Sequence, residues 1–154
     1  MNAIAEKFGG KVNVIGFPCN QFGHQTNEND DEFLNTLKYV RPGNGFTPKF
    51  EVLGSVQVNG ANSHPLFKWM RSTIKAPQDP AGDKHDLGCD DNDILVLPRE
   101  NFGGTTVTLW TPVTRTDIAW NFEKFLINKD GDIVKRYSRF YPTSEIEKDL
   151  EALL

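Results

Sequence analysis

A chain of 154 residues with 38% hydrophobic and 25% charged side chains is long enough to bury one core and has the make-up of an ordinary globular domain. Seventeen Lys and Arg against 21 Asp and Glu leave a net charge of −4, which speaks against a nucleic-acid or anionic-membrane partner. No apolar run approaches the ~20 residues that a spanning helix needs, and Cys19 and Cys89, with no CxxC or Cys/His spacing, speak against zinc binding and a disulfide scaffold.

The first residues lack the apolar core of a signal peptide. They read as the second half of a helix, with Ile4, Ala5 and Phe8 on one side and Gly9-Gly10 as the stop, as though the chain began in the middle of a domain. Val12 to Phe17 is a strand, and its near-continuous apolar character suits a central strand covered on both faces. Asn27 or Asn29 caps the next helix, whose first turn is acidic and whose Phe33, Leu37 and Val40 share one face. Pro42-Gly43-Asn44-Gly45 ends it. Short extended pieces follow over Thr47 to Val58, with Asn59-Gly60 as a turn. Ser63 is the expected cap of another helix, with Pro65 in its first turn and Leu66, Phe67 and Met70 facing inward. Residues 75–104, rich in Pro, Gly, Asp and Asn, form a long surface excursion, and Thr105 to Trp110 is a short extended segment. Phe122 to Ile127 and Ile133 to Ser138 form a hairpin across Asn128–Asp132, and Ser144 with Glu147 makes a capping box for the last helix. The order predicts a single α/β domain over residues 1–154, with chemistry beyond the carboxyl ends of its strands.

The stretch Val14–Gln25 (VIGFPCNQFGHQ) places a thiol, amides and a histidine at such a strand end. Cys19 admits two readings, a nucleophilic thiol or a small buried side chain, the commoner role of a free cysteine; no cation adjoins it to lower its pKa. Cys89 lies among carboxylates that discourage the thiolate. Asn20 and Gln21 either satisfy backbone groups or donate to a ligand. His24 and His64 have no spaced partner for a metal, and Ser63 has no nucleophile-elbow context. Trp120-Asn121 is packing plus a turn, or a pair of donors for a buried anion.

Phe17–Gln25 (FPCNQFGHQ) closely resembles the signature of the glutathione peroxidase family, and Ala119–Leu126 (AWNFEKFL) resembles a second one. Lys38–Phe46, Val58–Ala61 and His64–Phe67 match further family segments in the same order, so the similarity runs the length of the chain. The resemblance implies a thioredoxin-like fold, a central mixed sheet flanked by helices, here without its N-terminal strands and catalytic turn. It implies reduction of hydrogen peroxide and organic hydroperoxides with glutathione as thiol co-substrate and no bound cofactor. The family's peroxidatic residue is a selenocysteine, or a cysteine in some branches. Its anion is held by a Gln, a Trp indole and an Asn, which by motif fall on Gln21, Trp120 and Asn121. Donors that do not themselves titrate suit that role at any working pH.

Other positions follow from the same resemblance. Cys19 matches the family's Phe-Pro-Cys cysteine, which is not the peroxidatic one, so a selenocysteine is expected upstream of Met1 and the chain alone is expected to be inactive. Arg41 and Arg139 match basic positions that hold the carboxylates of glutathione; Arg41 reads equally well as a charge closing a helix C-terminus, and Phe140 stands where many relatives carry a second Arg. Arg136 and Lys135 read as solvated strand-face charges. Residues 41–74 resemble the loop of tetrameric members, which implies a homotetramer. Localisation is expected to be cytoplasmic, with an extracellular protein the alternative. The competing reading is a thioredoxin-fold interaction protein that has lost the nucleophile, or one in which Cys19 attacks.

Overall fold

The computed structural model describes residues 1–79 and 109–154. Cys89, most of the 75–104 excursion and the start of the expected Thr105–Trp110 strand lie outside the described residues. The chain divides into two compact units, one of Met1–Asn20, His24–Val56 and Thr143–Leu154, the other of Gln21–Gly23 and Gln57–Pro142.

The first unit holds α1 (Asn2–Phe8), β1 (Ile15–Gly16), α2 (Asp30–Tyr39), β2 (Glu51–Val52) and α4 (Glu147–Leu153). Helix α1 buries Ile4 and Phe8, as its spacing predicts, and stops at Gly9, whose N–H still donates to Ala5 O. Lys7 Nζ ties α1 to α4 through Glu147 (2.7 Å) and Glu151 (2.8 Å), and these partners, Glu147 first, raise its pKa. The expected strand over Val12–Phe17 shrinks to two residues paired in parallel with β2, and Ile15 is 47% exposed. An apolar run does not by itself require cover on both faces; a partner of only two residues limits the ladder. Asn29, of the two candidates, caps α2 by accepting from Glu32 N at 3.0 Å, ahead of the acidic turn Asp30-Asp31-Glu32. The predicted inward face of α2 is only partly covered: Phe33 and Leu37 are half-buried, and Val40 is exposed just past the helix end. The capping box of Ser144 and Glu147 does not form. Thr143–Ile146 winds into a 3₁₀ turn, which puts Ile146 in helical geometry at the position an extended capping residue would take.

The second unit holds α3 (Pro65–Thr73), β3 (Lys124–Ile127) and β4 (Ile133–Tyr137). His64, not Ser63, caps α3, its Nδ1 accepting from Leu66 N at 3.2 Å with Pro65 at the first helical position. Ser63 is spent elsewhere, donating to Gly60 O and accepting from Arg71 Nη2. Phe67 and Met70 of α3 are buried, and Leu66 is half-buried. The β3–β4 hairpin is antiparallel, Lys124 opposite Tyr137, with an irregularity between Leu126 and Ile127. Its turn is built as the composition predicts, with Gly131 at φ 91° and Asn128 Oδ1 accepting from Asp130 N and Asp132 N. Among the described residues the strands pair as two ladders, β1 with β2 in the first unit and β3 with β4 in the second.

Candidate functional site

Gln21 begins a three-residue excursion of the chain into the second unit. Its side chain is buried, and both ends of its amide are fastened to one segment. Oε1 accepts from Val58 N and Asn59 N at 2.9 Å each, and Nε2 donates to Asn59 O at 3.1 Å. This is the backbone-satisfying role open to a loop amide, and it fixes the plane of the group. The next residue, Phe22, is 2% exposed and neighbours two tryptophans, its ring centroid 5.8 Å from Trp110 and 5.7 Å from Trp120.

The loop carrying Trp120 and Asn121 is held at both ends. Before it, the Asn59 side chain bonds Ile118 twice, Nδ2 donating to Ile118 O at 2.9 Å and Oδ1 accepting from Ile118 N at 2.8 Å. After it, Glu123 Oε1 reaches back to accept from Ala119 N at 2.6 Å. Between these anchors Trp120 and Asn121 are half-buried, and Phe122 points outward, 80% exposed, at φ 68°. A bulky residue in the left-handed region is a strained one.

Glu123 is fixed by Arg136, whose Nε donates to Oε2 at 2.8 Å; each side chain is 1% exposed. Arg136 also donates to the carbonyls of Ile74 (3.2 Å), Lys75 (3.0 Å) and Thr116 (3.0 Å) through Nη1 and of Asp117 (3.0 Å) through Nη2. The solvated strand-face role predicted for Arg136 is therefore wrong: residues 74–75 and 116–117 cover the face of β4 that alternation alone would leave to water. Lys135 is half-buried with Nζ 5.2 Å from the Tyr137 ring centroid. Burial pushes the Glu123 carboxyl up, opposed by Arg136 and by the Ala119 N–H. Asp117 gathers Arg71 Nη1 (2.5 Å), Trp110 Nε1 (2.7 Å), Thr114 N and Thr114 Oγ1 (2.8 Å each). Burial lowers the Arg71 pKa against the pull of Asp117.

Arg139 lies in the same unit. Its guanidinium carbon is 5.7 Å from the Trp120 ring centroid and 4.3 Å from that of Phe140, its Nε is buried without a hydrogen-bond partner, and burial lowers its pKa. Lys124 braces the adjoining turn by donating to Ser138 O (2.9 Å) and Tyr141 O (2.8 Å), and burial lowers its pKa against the pull of Asp79. Arg41 belongs to the first unit, exposed, with its backbone N–H donating to Thr36 O at 2.8 Å. Cys19 is a buried cysteine of that unit outside any disulfide, and Asn20 holds the following loop, bonding Asn27 and Thr26 N. A cavity of about 460 Å³ beside Phe8, Lys11 and Glu151 contains none of the predicted site residues.

A sequence profile described as glutathione peroxidase matches residues 1–71. Glutathione peroxidase 1 of Macaca fuscata fuscata is 46% identical over 155 residues, covering 100% of this chain and 69% of that protein. The Rattus norvegicus protein of the same name is 45% identical with the same coverage. The chain belongs to the glutathione peroxidase family. Glutathione peroxidase 2 of Pongo pygmaeus is 42% identical over 154 residues, with 72% of its length covered. Among solved structures, T. cruzi GPX1 superposes with a TM-score of 0.55 at 25% identity, over 99% of this chain and 67% of that one. Trgpx in apo form gives 0.52 at 24% identity, over 98% of this chain; the present chain spans 62% of its length. The α/β, thioredoxin-like fold expected from the two signatures is thus the fold of the family, whose members are peroxidases and so oxidoreductases. No helix of the described residues is long and apolar enough to cross a membrane.

The anchors Asn59, Glu123, Asp117, Arg71 and Arg136 escaped sequence reasoning. Glu123 and Asn59 lie inside the motif segments quoted for the family, a signal that they are more than surface polar residues. Nothing local marks Arg71, Asp117 or Arg136.

Proposed function

We propose that this chain carries the donor half of a peroxide-reducing site, in which Gln21, Trp120 and Asn121 hold the anion of a selenocysteine encoded ahead of Met1. The reading is supported above all by one observation: the Gln21 amide and the Trp120–Asn121 loop are both fastened to Asn59 within one compact unit. An amide and an indole donate at every working pH, so they favour the ionised chalcogen without competing for its proton. When present, that selenolate would supply the two electrons that cleave the peroxide O–O bond, and two glutathione thiols would return them, the first releasing water and the second leaving as the glutathione disulfide. Arg139, whose guanidinium carbon lies 5.7 Å from the Trp120 ring centroid and 4.3 Å from that of Phe140, and Arg41 are the proposed carboxylate-binding groups for glutathione. Residues 41–74 are proposed to form the contact of a homotetramer, and the site serves defence against oxidative stress.

The 154 residues hold these donors with a buried Cys19, and the chain starting at Met1 is expected to be inactive. The test extends the reading frame ahead of Met1 with cysteine at the in-frame TGA and follows glutathione-dependent loss of hydrogen peroxide. The extended protein should turn over and the Met1 chain should not. Gln21→Ala in the extended protein should lower kcat by about 10²-fold, the usual loss for one donor to a developing or resident anion. An unrelated upstream frame, or Met1 chain activity that disappears in Cys19→Ser, would overturn the proposal.

A further inference from the structure

We infer that Asn59 is a positioning residue that fixes the Gln21 amide and the Trp120–Asn121 loop in one frame; the inference rests on the proposed roles of those three residues and adds the part that holds them in register. Asn59 is 0% exposed. Its main chain takes Gln21 at both ends, with N–H donating to Oε1 and C=O accepting from Nε2. Its side chain takes Ile118 at both ends, through Nδ2 to the carbonyl and Oδ1 from the N–H. A side-chain amide here imitates a peptide group and makes with Ile118 the two-point pairing that a strand neighbour would make.

The residue type is dictated by that geometry. Aspartate of the same size keeps the acceptor and loses the donor, glutamine is one methylene too long for a buried two-point bond, and alanine leaves both Ile118 groups buried and unpaired. The backbone on which Asn59 sits is equally constrained. Gly60 has φ 80°, and a Cβ there would lie 2.9 Å from Trp110 Cβ and 3.0 Å from Thr111 O. Ala61 N donates to Thr111 O at 2.9 Å. Asn59 therefore has little room to shift, and Ile118 is two residues ahead of Trp120, with Ala119 already tied to Glu123.

The experiment compares the ¹⁵N-labelled 154-residue chain with Asn59→Ala and Asn59→Asp by hydrogen exchange and side-chain NMR, using the β3–β4 ladder amides as the reference. Positioning predicts that Asn59→Ala speeds exchange of the Ile118 N–H about tenfold or more. The Gln21 Nε2 and Trp120 indole signals should shift or broaden together, with the ladder amides unmoved. Asn59→Asp should restore the Ile118 N–H protection and not the Trp120 signal. Equal loss of protection at Ile118 and in the ladder, or Gln21 and Trp120 signals unchanged in Asn59→Ala, would overturn the inference. If Asn59→Ala does not fold, Asn59→Asp against the parent still decides the matter: the Ile118 N–H should stay protected while the Trp120 indole signal moves, and an unmoved Trp120 signal would overturn the inference. None of these readouts needs turnover, so an inactive extended protein would sink the peroxidase reading and leave the role of Asn59 decided on its own.

Discussion

Replacing Arg136 with Met tests how the Trp120–Asn121 loop is held. The substitution keeps an apolar stem of similar length and removes the five hydrogen bonds that the guanidinium makes among the described residues, one to Glu123 and four to main-chain carbonyls. Breaking a buried ion pair by removing one partner costs about 3–5 kcal/mol. Each carbonyl left dry adds about 1–3 kcal/mol, although relaxation and the carbonyls' other partners will spare some of them. A total of about 5 kcal/mol or more is expected, against the 5–15 kcal/mol that separates a typical domain from its unfolded state. Urea unfolding followed by tryptophan fluorescence and far-UV circular dichroism should show the midpoint falling by about 2 M at unchanged slope, or a chain already unfolded without denaturant. The pH dependence carries a second signature. The Glu123 carboxyl is already pushed up by burial, and Arg136 is the main group opposing that shift. Without Arg136 its folded pKa rises further above the ordinary 4.5. A group with a raised carboxyl pKa contributes most stability below its unfolded value and loses that contribution as pH climbs through its folded value. The deficit of Arg136→Met relative to the parent should therefore grow with pH above the ordinary carboxyl range. A loss below about 1 kcal/mol, or a deficit that stays flat between acid and neutral pH, would refute the account of a dry, guanidinium-centred anchor.

Three further outcomes follow from particular residues. Phe122→Gly relieves the positive φ of an 80% exposed ring, so the unfolding free energy should rise by about 1 kcal/mol after the entropy cost of glycine is subtracted; a fall would mean the ring makes contacts that matter more than the strain. Gly60→Ala forces a Cβ against Trp110 and Thr111 at φ 80° and should cost about 2–4 kcal/mol in the same assay, with a neutral result excluding the close approach. Lys124 has its pKa lowered by burial below the ordinary 10.5, so the unfolded chain binds its proton more tightly and stability from this group rises as pH climbs through that alkaline window. The parent should gain on Lys124→Met over that range, and a difference that falls or stays level would show Lys124 to be solvated.

Much of the architecture was legible because it is written locally. The Asn128–Asp132 turn needs only Asn and Gly chemistry, and the stop after Phe8 needs only glycine. The acidic turn after Asn29 needs only the helix dipole, and the two family signatures carry their own identity. Where a neighbouring rule competed, the local reading slipped by a residue or an element. Ser63 looks like a cap until Gly60 and Arg71 claim its hydroxyl, and Ser144 looks like one until Ile146 is drawn into a buried helical turn.

By itself the order of residues determined which side chains are chemically suited to hold an anion, because an amide, an indole and their spacing are properties of the chain. Only the tertiary structure decided that Arg136 is a buried hub rather than a wet strand-face charge, and that Asn59 joins two loops whose residues lie 38 and 59 positions from it. The physical reason is that covering a polar group and completing its hydrogen bonds depend on segments distant in sequence, and no window of local pattern contains both partners.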